Sequence, residues 1–160
     1  MTGLWEMAWE CKHVDVLRNE LGAGLLLPFW LALAAELEME SGAHNDALAT
    51  LDEARKIQES TGQRFWDAEL HRLKGEALSL GDAAAADVEA AFENALAVAR
   101  RQGARSLELR AATSLARFRA AGDRRQEAVA VLDEVYAFFV EGFETHDLKA
   151  AKSVLASLED

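Results

Sequence analysis

Apolar residues recur along this chain at intervals of three and four, the spacing that places them on one side of an α-helix. In "FWDAELHRLKGEALSL" the stripe is Trp66, Leu70, Leu73, Ala77 and Leu80. In "VEAAFENALAVA" it is Val88, Ala91, Phe92, Ala95 and Val98 or Ala99, and in "EAVAVLDEVYAFF" it is Val129, Leu132, Val135, Tyr136 and Phe139. Each stripe predicts an amphipathic helix that must bury one face against a neighbour.

Glycines punctuate the stripes. Gly22, Gly62, Gly103 and Gly142 are spaced by 40, 41 and 39 residues, and Gly42, Gly81 and Gly122 fall between them, spaced by 39 and 41. A residue just past a helix end often turns left-handed, which glycine does without a Cβ clash. Each of these glycines is therefore expected to mark a helix stop. The spacing predicts eight helices, at about 3–20, 28–41, 45–60, 64–80, 84–101, 105–121, 124–141 and 145–158. Pro28 suits a first helical turn, where its missing N–H costs nothing. The expected organisation is one all-α domain over 1–160, comprising an N-terminal helix (1–21), repeats at 22–62, 63–103 and 104–142, and a C-terminal capping helix (143–160).

The second helix of each pair shares a small–large–small pattern: Ala47, Leu51, Ala54; Val88, Phe92, Ala95; Ala128, Leu132, Val135. With the mid-repeat glycine, this pattern resembles the tetratricopeptide (TPR) repeat, and implies an α-α superhelix of antiparallel helix pairs. The period near 40 is longer than the usual 34. In the first helices the expected small residue survives as Ala35, Gly75 and Ala116. Two stretches, "RRQGARSLELRAATSLARF" and "VYAFFVEGFETHDLKAAKSVLASL", resemble the C-terminal repeat arm of bacterial multidomain ATPases, including those fused to class III adenylate cyclases and to transcriptional regulators. That similarity covers roughly 22–160 and implies a scaffold or sensing arm of a signalling protein. It does not bring a nucleotide site, because the chain holds no G-x-x-x-x-G-K-[ST] loop.

Composition narrows the function classes. Hydrophobic residues make up 51% of the chain, enough for a packed core. The longest uncharged apolar stretch, "LGAGLLLPFWLALAA", is 15 residues, too short and too interrupted to cross a membrane. The start, "MTGLWEMAWECKH", lacks the basic beginning and apolar run of a signal peptide, so a cytoplasmic protein is expected. Cys11 is the only cysteine, which excludes an internal disulfide. A formal net charge of −11 argues against nucleic acid as a partner.

Candidate chemistry is sparse. Glu10 and His13 form one Glu-x-x-His, whereas a di-metal bundle needs two such motifs and two further glutamates. Glu144, His146 and Asp147 crowd the start of the last helix, where Thr145 is the expected cap and Asp147 favours the helix dipole. His44 or Asn45 is expected to cap the third helix. No nucleophile–base set assembles, so no enzyme, metal or cofactor is expected. Binding is the better expectation. In stacked helix pairs the first helices line one groove, and their polar residues off the apolar stripe are Glu36 and Glu40, then His71, Arg72 and Glu76, then Arg110, Thr113 and Arg117. Three of these are arginines, suited to a carboxylate or acidic segment of a protein or peptide partner, or to a small-molecule signal. Trp5 and Trp9, one helical turn apart, form an apolar surface for other domains of a longer parent protein or for a second copy.

Overall fold

The computed structural model describes residues 26–159. The predicted first helix, with Trp5, Trp9, Glu10, Cys11 and His13, lies outside them, as do Gly22 and the first residues of the predicted first repeat. Among the described residues there are seven helices and no strand: α1 (Leu27–Glu40), α2 (His44–Thr61), α3 (Asp67–Ser79), α4 (Ala85–Gln102), α5 (Arg105–Ala121), α6 (Arg125–Tyr136) and α7 (His146–Glu159).

Most helix ends follow the glycine spacing. Gly42, Gly62, Gly103 and Gly142 all take positive φ, and Gly62 and Gly103 are the residues that close α2 and α4. Gly122 also closes its helix, α5, but with φ −95°, and the left-handed residue is the next one, Asp123. Gly142 is not a helix stop. The helix expected to reach 141 ends at Tyr136, and 137–145 is a connection that exposes Phe138, Val140 and Phe143. Side-chain capping is absent where the sequence predicted it. Ala43 precedes α2 without a cap bond, with His44 and Asn45 already inside the helix. Thr145 accepts the Lys149 N–H on its carbonyl at 3.0 Å, while its hydroxyl caps nothing among the described residues.

Each helix packs on the next in sequence, and a second series of contacts joins α1 to α3, α3 to α5 and α5 to α7. The odd helices thus form one layer, and α2, α4 and α6 lie across it, packed mainly against their neighbours in sequence. The small–large–small residues sit where the pairs meet: Ala47, Leu51 and Ala54, Val88, Phe92 and Ala95, and Ala128, Leu132 and Val135 are all buried. Gly75 lets α3 and α4 approach, because a Cβ there would stand 2.5 Å from Phe92 Cε1. One apolar cluster joins α1, α2 and α3 around Leu31, Leu51 and Leu73. A larger one joins α4 to α7 around Phe92, Leu115, Leu132 and Leu148. Leu80, expected on the α3 stripe, lies beyond the helix end and is 55% exposed.

Candidate binding face

The layer of odd helices carries a charged cluster that spans three of them. Arg72 on α3 forks onto Glu69, with Nε donating to Oε2 at 3.0 Å and Nη2 to Oε1 at 2.7 Å. Its Nη1 donates to Glu76, and Nη2 also reaches Glu36 on α1 at 3.2 Å. Arg110 on α5 lies 2.7 Å from Glu69 and 3.4 Å from Glu36. Ser114 donates to Glu76 at 2.8 Å. Glu69 is 2% exposed and Arg72 5%, so this ion pair is screened little by water.

Burial opposes the Arg72 charge, but the bonds to Glu69 and the charges of Glu69, Glu76 and Glu36 outweigh it and hold the guanidinium above its ordinary pKa. At Glu36 the balance is reversed. Burial raises its carboxyl above the usual value, with Arg72 opposing and Glu69 adding to the rise. Three glutamates face two arginines here, so Arg72 and Arg110 are engaged within the protein and leave no local surplus of positive charge.

The groove residues expected from the sequence divide accordingly. Glu36, Arg72, Glu76 and Arg110 belong to the cluster. Thr113 is buried beside them, its hydroxyl donating to the Leu109 carbonyl at 2.7 Å. Glu40 is exposed at the end of α1 and takes no part. His71 leaves the set, because one residue along a helix turns a side chain by about 100°. It lies 3.8 Å from Asp67 and lines a cavity against α2 and α4. The sequence reading missed Glu69 and Ser114. The spacing of Glu69, Arg72 and Glu76, three and then four residues apart, is an i, i+3, i+4 signal for such a fork.

Arg117 is different. It is exposed and makes no ion pair or hydrogen bond among the described residues. It stands between two cavities. One, of about 480 Å³, is mostly apolar, with Leu78, Val88, Phe92 and Phe118 in its walls and Ser114 and Glu76 at its polar side. The other, of about 220 Å³, is lined by Arg72, Arg110 and Thr113 together with His146 and Asp147 of α7. His146 is 96% exposed, its Nδ1 3.5 Å from Asp147, and Lys149 pairs with Glu144 at 2.7 Å. The crowded start of the last helix is thus one wall of the arginine-lined cavity.

No protein-family profile and no solved structure matches the chain. An uncharacterized protein of Rhizobium meliloti (strain 1021) is 39% identical over 103 residues, which is 62% of this chain. The chain spans 10% of the length of that curated relative.

Proposed function

We propose that this chain is a non-catalytic helical-repeat module of tetratricopeptide type. It binds a protein or peptide segment across the layer of α1, α3, α5 and α7, as an interaction or regulatory arm of a longer signalling protein of ATPase or adenylate cyclase type. The observation that carries the reading is Arg117, a cation without a partner among the described residues, set between an apolar cavity and a polar one. A segment with an apolar side chain beside a carboxylate fits both, the carboxylate taking the open guanidinium. The small share of its relative that the chain spans supports its occurrence as part of a much longer protein.

The test is a selection from a peptide library, followed by affinity measurement on variants. Peptides that pair an acidic residue with a large apolar one are the expected selection, with affinity falling about tenfold in Arg117→Ala. Equal affinity for Arg117→Ala would remove the reading. The apolar cavity also has the volume of a small-molecule site, which favours a sensor as the second reading. A thermal-shift panel of metabolites separates the two: stabilisation by a metabolite that Phe118→Ala abolishes identifies the sensor.

A further inference from the structure

On the opposite side of the odd layer, α2 and α4 flank a gap floored by α3, and in it lies a cavity of about 270 Å³. Gln58 of α2 forms part of its wall. That side chain is 1% exposed, and neither its Nε2 nor its Oε1 has a hydrogen-bond partner among the described residues. A buried amide with both groups unmatched is costly to keep, and leucine would fill the position without that penalty. Around it stand Arg55, Arg64, His71, Asn94 and Arg101.

The next gap along the stack supplies an internal comparison. Between α4 and α6, over α5, the charges are paired across the opening: Arg100 of α4 meets Glu134 of α6 at 2.8 Å, and Arg124, just before α6, meets Glu89 of α4 at 2.6 Å. Between α2 and α4, no ion pair spans the opening among the described residues. Arg55 pairs with Glu59 within α2 at 2.8 Å, and Arg64 and His71 share Asp67 at 3.7 and 3.8 Å. The side chains of Arg101 and Asn94, both on α4 and exposed, make no hydrogen bond or ion pair among the described residues. Three arginines against Glu59 and Asp67 leave a positive surplus in a chain of net charge −11.

We propose that this gap is a binding site for a compact oxyanion-bearing molecule, a carboxylate or phosphate that also carries a hydroxyl, amide or amine. The oxyanion lies against Arg101 with Asn94 beside it, where a charge-assisted bond is strongest. The second polar group meets the Gln58 amide, which is closed to solvent in the free protein and turns toward the cavity to offer its two donors and an acceptor. The volume suits a ligand of metabolite size and is small for a peptide segment. The site is independent of the odd-helix face and of Arg117.

Citrate, glutamate and inorganic phosphate serve as probes, each in thermal denaturation and titration calorimetry against sodium chloride of matched ionic strength. At least one is expected to raise the midpoint beyond the salt control. Gln58→Leu is expected to raise the midpoint of the free protein and to lose the probe-induced shift. Arg101→Ala, at an exposed position, is expected to weaken binding about tenfold, and Arg117→Ala to leave it unchanged. A response to citrate or glutamate but not phosphate identifies a carboxylate, and the reverse a phosphate; either supports the site. No shift with any probe overturns the proposal, as does unchanged binding in Gln58→Leu or in Arg101→Ala.

Discussion

Arg72 and Arg117 border the same cavity, yet their surroundings assign them different work. Arg72 is sealed against Glu69, and truncating it leaves a carboxylate that is 2% exposed with only Arg110 to answer it. Arg72→Met is therefore expected to destabilise the fold by about 3 kcal/mol, the lower end for a broken buried pair because Arg110 remains. Adding Glu69→Leu should return much of that loss, since removing both charges leaves a smaller unmet demand. Urea denaturation of the two single variants and the double variant checks the sign of the coupling. Arg117→Ala removes no bond and should alter stability by less than about 0.5 kcal/mol. The sequence places both arginines on the groove side of their helices. It does not rank them, because the rank depends on Glu36, 36 residues away, and on Glu69, whose burial comes from packing against α1 and α5.

At the scale of elements, the approach of α3 to α4 depends on one missing methyl group. Alanine is normally the better helix residue by about 1 kcal/mol. At Gly75 the added Cβ would meet the Phe92 ring, which is itself 3% exposed and has little room to withdraw. Gly75→Ala is expected to cost about 1–3 kcal/mol through overpacking. In a Phe92→Leu background the same change should cost less or turn favourable, and a double-mutant cycle by thermal denaturation measures that difference. Helix positions were legible because the 3.6-residue period and the left-handed glycines are local properties. Helix ends that rest on tertiary context were not. The run "AFFVEGF" continues an apolar pattern past Tyr136, but the chain leaves the helix there, and Arg105 stacks on the Phe138 ring at 4.0 Å from its centroid.

For the whole molecule, charge pairs between helices make stability depend on pH with two opposed contributions. The Arg124 hydrogen bond foremost, with Arg119 also bonded, holds the Glu89 carboxyl at about 2, against an ordinary 4.5. A depressed folded value means that this contribution is complete above about 4.5 and is lost as pH falls from there toward 2. Glu36 is raised, so its contribution runs the other way: it is present at low pH and is lost as pH rises through the folded value. Glu89→Gln should accordingly lower the melting midpoint near neutral pH and flatten its fall in acid. Glu36→Gln should leave the neutral midpoint unchanged or higher. Midpoints across the acid range check both signs.

The sequence by itself determined that the chain is helical, where most helices begin and end, and which faces are apolar, because propensity, period and glycine conformation act within a few residues. It also marked the first helices as the polar-lined layer. Only the tertiary structure decided which charges are spent on one another and which stay open. Glu69 and Arg72 share a turn, but Glu36 and Arg110 reach them from other helices, and their partners are set by interhelical distance. The same holds for Gln58: its i, i+3, i+4 neighbours on α2 look like those of any surface amide, and its burial is set by packing outside its own helix.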